Sequence, residues 1–322
     1  MTKRRLDGLD AVKLIAAAVV VLEHAVLRGT GGSTVAFFIY GACHVAVPTF
    51  FAVAGYIAGL KPPTDAIRAF AAVRARRLLV PAAFWMAFFP LLAYVRTGRV
   101  PWGADVGKWI FRAFAGGGNA WFLVVLFLIA LLAAALDRRV SGWWPTVVGI
   151  VVFTLAGLVQ PLGPVAFGSG TYYAFVPVYG GVYWAGMRLA RTEWRPPTLA
   201  AAATLVVLTL AAGGLAVVRL VTGSQGPSWL MYSASSVGAL AALALAVDSR
   251  LPWGRILRPM EWARDSTLGI YLVHVALISY VFPLIPPMQP LLRSFVAAVV
   301  IFFSTAVLVA LAQRWKPARA VL

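Results

Sequence analysis

Acidic residues are scarce in this chain: ten Asp and Glu stand against 28 Lys and Arg, with only three histidines and one cysteine. Each shortage excludes something. Cys43, the single cysteine, can close no internal disulfide, and no cysteine cluster exists to hold metal; inside an apolar run it reads as a buried, unreactive thiol. Charged residues make up 12% of the chain, where a soluble domain carries roughly 25%, so an ordinary water-soluble fold is excluded. Among the expected outer segments only Asp105 is acidic, which argues against a membrane glycosyltransferase that needs carboxylates there. Internal repeats, low-complexity stretches and linkers to a soluble domain are not found either, so residues 1–322 read as one integral membrane domain.

What the chain has in abundance is apolar surface. Hydrophobic residues make up 61% of it, in runs near 20 residues that suit a hydrocarbon core of about 30 Å. The expected fold class is all-α, a polytopic membrane helical bundle of about ten transmembrane helices. The spans are expected near 9–28, 34–60, 78–95, 119–136, 143–161, 172–190, 198–219, 228–247, 265–285 and 290–313, punctuated by Pro and Gly in KPPT, GGGN, PLGP and LIPPMQP. Connections on the N-terminal side hold 20 Lys and Arg and those on the other side seven, with Lys13 inside the first span. The positive-inside rule then puts both termini in the cytoplasm of a cell (plasma) membrane protein. The same sorting explains the net charge of +18 without a nucleic-acid partner. The N-terminus begins like a secretory signal but lacks a small-x-small cleavage site, so a retained first helix is expected. In the outer segment 96–118, DVGKWIFRAF sets Lys108 and Arg112 beside Trp109, Ile110 and Phe114, the pattern of a short helix in the outer interface.

Residues 9–24, LDAVKLIAAAVVVLEH, raise the chemical question, because charge in hydrocarbon costs about 2.5–3.5 kcal/mol even on insertion scales. Lys13 and His24 lie eleven residues apart, about 16 Å along a helix and within about 20° of one face. Asp10 shares roughly that face. Glu23 points about 100° away from His24 and takes no catalytic role. A structural reading has Lys13 snorkelling to the interface and His24 bonding a neighbouring carbonyl. A functional reading has a cation-lined mouth inside and a proton-handling imidazole beyond it, since neutral imidazole is the base least costly to place in low dielectric.

Five motifs in order carry a family resemblance. Lys13-x10-His24 resembles the Arg/Lys-x10-His motif that opens the acyltransferase-3 superfamily of integral membrane acyltransferases. PTFFAVAGYIAGL (48–60) is similar to the family's second-helix pattern. VRARRLLVP supplies Arg74 and Arg77 where the family has a cytoplasmic Arg-x-x-Arg. AWFLVVLFL (120–128) and DSTLGIYLVH (265–274) resemble its Trp-Phe-Leu and Ile-Tyr-Leu-x-His elements. Three positions depart: Ala54 stands where Ser is usual, Asn119 where His is frequent, and His44 where related branches carry Arg.

The resemblance implies an acyl-CoA donor, acetyl-CoA by family frequency, taken from the cytoplasm. The acyl group passes to a hydroxyl of an extracytoplasmic carbohydrate or glycolipid, as in O-acetyltransferases that modify cell-envelope polysaccharides, with no metal. Carried over by position, His24 is the general base, Lys13, Arg74, Arg77 and Arg76 bind the donor's phosphates, and Asp10, Tyr271, His274 and His44 support the site. The residues alone leave plainer readings open. Arg74 and Arg77 are also ordinary topology signals, and Tyr271 with His274, three apart on a helix face, also makes a structural pair. The alternative function is a proton-coupled transporter or flippase of a lipid-linked or small polar substrate, which would be marked by inverted repeats and paired broken helices.

Overall fold

The computed structural model describes residues 7–29, 33–61, 67–98, 121–137, 139–159, 176–192, 196–223, 226–316 and 318–322. Among them every regular element is helical, as lipid requires of a chain that must satisfy its backbone polar groups within each segment. In order they are α1 (Asp7–Gly29), α2 (Thr34–Cys43), α3 (Ala46–Gly59), α4 (Ile67–Thr97), α5 (Trp121–Leu136), α6 (Trp144–Val159), α7 (Val176–Arg191), α8 (Thr198–Thr222), α9 (Gly226–Ala246) and α10 (Trp253–Leu257). A 3-10 stretch (Arg258–Ser266) then leads to α11 (Thr267–Val281) and α12 (Pro290–Ala312). The interface helix expected around Lys108 and Arg112 lies outside the described residues.

Five described stretches are long and apolar enough to cross a membrane: Thr34–Gly59, Thr198–Thr222, Trp229–Ala246, Trp253–Leu284 and Pro290–Ala312. Trp121–Leu136 and Trp144–Leu155 are apolar but shorter. Each of the ten expected spans contains a helix, yet two differ from the expected form. The second is broken between α2 and α3. Pro48 has no N–H to offer the carbonyl of His44, and the chain turns there, with the His44 N–H donating to Gly41. The third begins about three turns early, so Arg74, Arg76 and Arg77 ride on a helix rather than in a connection. With 31 residues α4 is about 46 Å long, longer than a hydrocarbon core of about 30 Å.

α1 lies at the centre and packs against α2, α3, α9, α10, α11 and α12. That placement resolves the cost of its charges, which face protein instead of lipid. The surface of the bundle is apolar, with Val206, Val207 and Leu210 exposed on α8 and Val299, Phe303 and Val307 on α12. The first turns of α1 meet the end of α9, where Gly8 sits against the Ala246 carbonyl. The C-terminal halves of α7 and α9 line one apolar groove through Ala185, Leu189, Leu240 and Ala244. The start of α1 and the ends of α7 and α9 therefore share one end of the molecule.

Candidate functional site

At that end, α3, α5 and α7 finish around the early turns of α4. They enclose a pocket of about 290 Å³ lined by Lys61, Phe70, Arg74, Arg77, Asp137, Tyr183 and Arg191, among others. Arg74 lies over the Phe70 ring at 5.3 Å, a contact that holds a guanidinium without neutralising it. Arg191 grips Asp137 with both terminal nitrogens (Nη2 to Oδ2 2.8 Å) and donates Nε to the Gly59 carbonyl at 3.3 Å. Among the described residues of the lining, four cations thus surround one carboxylate.

Lys13 is not among the residues lining this pocket. It donates to Asp10 at 2.8 Å. Asp10 also accepts from Arg264 Nε at 2.6 Å, while Arg264 pairs with Asp7 and lies 3.7 Å from Glu261. Among the described residues, Lys13 and Arg264 are here paired with Asp7, Asp10 and Glu261. Arg264 is buried and ties α1 to the segment that enters α11. Arg76, exposed on α4, is not in the pocket lining either.

About three to four turns above Lys13 and Asp10, α1 meets α11 again. The rings of His24 and His274 lie 5.1 Å apart, centre to centre, tilted by 48°. His274 is fully buried, and its Nδ1 donates to the Ile270 carbonyl at 3.1 Å. Its Nε2 has no hydrogen-bond partner among the described residues. Tyr271 packs 5.9 Å from His274 and also touches Phe50 and Phe122. Of the pair that the sequence placed on one helix face, His274 meets the His24 ring and Tyr271 packs against His274.

Glu23 joins a different group. Its Oε1 lies 3.7 Å from His44 Nδ1, which donates to the Tyr40 carbonyl at 2.9 Å. His44 is buried between the rings of Tyr40 and Tyr232, at 4.3 and 5.0 Å. His44 is thus part of the polar interior, placed with Glu23 rather than against the His24 ring.

His24 does not line the basic pocket. Rings stand between the two places. From Tyr183 in the pocket, one turn along α7 leads to Tyr179, which stacks on Phe51 at 4.7 Å; Phe51 meets Phe122, and Phe122 meets Tyr271 beside His274. The expected arrangement of Lys13 and the α4 arginines at one mouth is replaced by two charge clusters at one end of the bundle. Lys61, Asp137, Arg191 and Arg264 were not singled out from the sequence. Lys61 and Arg191 counted only toward sidedness there, and Arg264 stands one residue before the DSTLGIYLVH motif.

No group of three or more metal-ligating side chains occurs among the described residues. Comparison with curated proteins and with solved structures gives no match. A family profile described as an acyltransferase domain matches residues 6–313, nearly the whole chain, taking in α1, the basic turns of α4 and the His274 segment together. The chain belongs to the acyltransferase-3 family.

Proposed function

We propose that this protein takes an acyl group, acetyl in the first instance, from acyl-CoA at the basic pocket. It passes the group to a hydroxyl of an extracytoplasmic glycan or glycolipid, with His24 as general base. Residues 1–322 would form one catalytic unit of about ten membrane spans in the plasma membrane, termini inside. The observation that carries this is the charge balance at the shared end of the bundle. CoA is a polyanion, and Lys61, Arg74, Arg77 and Arg191 oppose it with one carboxylate among them. Arginine forks suit phosphate oxygens in pairs and keep their charge at any working pH. Lys13 is held by Asp10, which Arg264 also pairs with, so Lys13 and Asp10 act through the α1–α11 junction instead of touching the donor.

In this scheme the acceptor hydroxyl gives its proton to His24 as it attacks the thioester carbonyl, the C–S bond breaks, and the leaving CoA thiolate takes that proton back from His24 to depart as the thiol. General-base help of this kind is worth about 10²–10⁴ in rate. The pantetheine arm must pass the rings from Tyr179 to Tyr271, so side-chain rotation there belongs to the cycle. The test uses membrane vesicles supplied with radiolabelled acetyl-CoA. Label should enter envelope glycans or glycolipids only when the protein is present, and His24→Ala should reduce entry by 10²-fold or more with the folded protein intact. Full activity in His24→Ala removes the imidazole from the scheme. CoA left unconsumed with every envelope fraction points to the carrier alternative.

A further inference from the structure

Among the described residues four buried side-chain atoms lack a hydrogen-bond partner, and one of them, Nε2 of His274, belongs to the ring beside the proposed general base. A buried polar atom without a partner costs about 1–3 kcal/mol, so its retention calls for a reason. The Nδ1 of His274 faces a carbonyl, which only accepts, so Nδ1 carries the proton. In a neutral ring Nε2 is then a lone pair. The ring is 1% exposed, and no acidic side chain is paired with it among the described residues, so the neutral form is the one such a site favours. The neighbouring ring is His24 at 5.1 Å. An ordinary hydrogen bond of about 3 Å plus two ring radii spans about that separation.

Resting on the general-base reading of His24, we infer that His274 is its positioning residue. A side-chain rotation, or one bridging water, brings an N–H of His24 onto the Nε2 lone pair of His274. That bond fixes the His24 tautomer and leaves the opposite nitrogen bare toward the acceptor hydroxyl. It also steadies the imidazolium when the acceptor proton arrives, the part a carboxylate plays in a serine-protease triad. No proton moves to His274, whose Nδ1–H stays on the Ile270 carbonyl. A neutral acceptor suits this place, because a carboxylate in the same low-dielectric site would carry a far larger desolvation cost. Such bonds are often long without substrate and close in the reacting complex, which accounts for the unpartnered Nε2.

The test compares His274→Leu, His274→Gln and His274→Asn in the full chain in nanodiscs. A Gln amide oxygen reaches the place of Nε2, whereas Asn reaches only that of Nδ1. His274→Leu should lower kcat about 10–100-fold, the range for partners that orient a histidine, with KM for both substrates unchanged; Gln should recover most of it and Asn should not. Imidazole 15N spectra give the second readout, simplified because the chain has three histidines. His24 should hold its proton on one nitrogen in the parent protein and in His274→Gln, and on both nitrogens by exchange in His274→Leu. An unchanged His24 tautomer in His274→Leu, or equal recovery by Gln and Asn, overturns the inference. Neither result depends on His24→Ala, whose full activity would instead overturn the general-base reading itself.

Discussion

At the scale of single residues, the structure separates cations that look alike in the sequence. Arg74 and Arg77 line a pocket with a surplus of positive charge, while Lys13 is held by Asp10, which Arg264 also pairs with. Their substitutions should therefore fail differently. Arg74→Ala removes a charged donor of hydrogen bonds worth about 1.5–3 kcal/mol, so KM for acyl-CoA should rise by about 10- to 100-fold with kcat held. Lys13→Ala should leave that KM within a factor of about two. Arg264→Ala strips Asp7 and Asp10 of a buried partner and should cost about 3 kcal/mol of stability, as one-sided removal of a buried ion pair does. Steady-state kinetics and thermal unfolding of the three variants decide the matter. A large KM effect from Lys13→Ala would return that residue to the donor site.

At the scale of elements, the basic pocket exists because α3 and α7 approach backbone to backbone. Gly55 of α3 lies against the Tyr183 carbonyl, and Gly186 of α7 lies against the backbone of Ala52 and Tyr56. Small residues let membrane helices come this close, where dispersion and close packing replace the missing hydrophobic drive. Gly186→Val must push the pair apart. It should cost about 1–3 kcal/mol by overpacking, and it should weaken donor binding, because Lys61 rides beyond α3 and Arg191 on α7. Gly180→Val is the control, since a Cβ added there meets only Ile129 Cγ1, at 4.0 Å. Thermal stability that falls equally in both variants would mean that the α3–α7 approach is not the sensitive contact.

Helical period made the Asp10, Lys13 and His24 stripe legible, and the structure turns Asp10 and His24 toward the segment around α11, with Lys13 held by Asp10. Pro48 held the signal for the break between α2 and α3, yet an unbroken apolar run on both sides masked it. The pairings of Arg264 with Asp7 and Asp10, and of Arg191 with Asp137, join residues far apart in the chain. No local period encodes such contacts; packing alone selects them. For the same reason the sequence could offer Arg74 and Lys13 as one mouth, while in the structure Arg74 lines the pocket and Lys13 is held by Asp10 outside its lining.

For the whole molecule, function depends on which way this shared end faces. The start of α1 and the ends of α7 and α9 meet there, and the basic pocket opens beside them, so one sidedness measurement fixes all of them. The chain suits the experiment, because Cys43 is its single cysteine and is buried. In a Cys43→Ala background, Arg255→Cys places a thiol at the pocket's end, and Leu284→Cys places one beyond α11, at a position 78% exposed. A charged maleimide added to intact cells should label Leu284→Cys at once and Arg255→Cys only after the membrane is opened. The reverse pattern would aim the four cations away from the cytoplasm, where the CoA pool lies, and the donor assignment would fail together with the termini-inside topology.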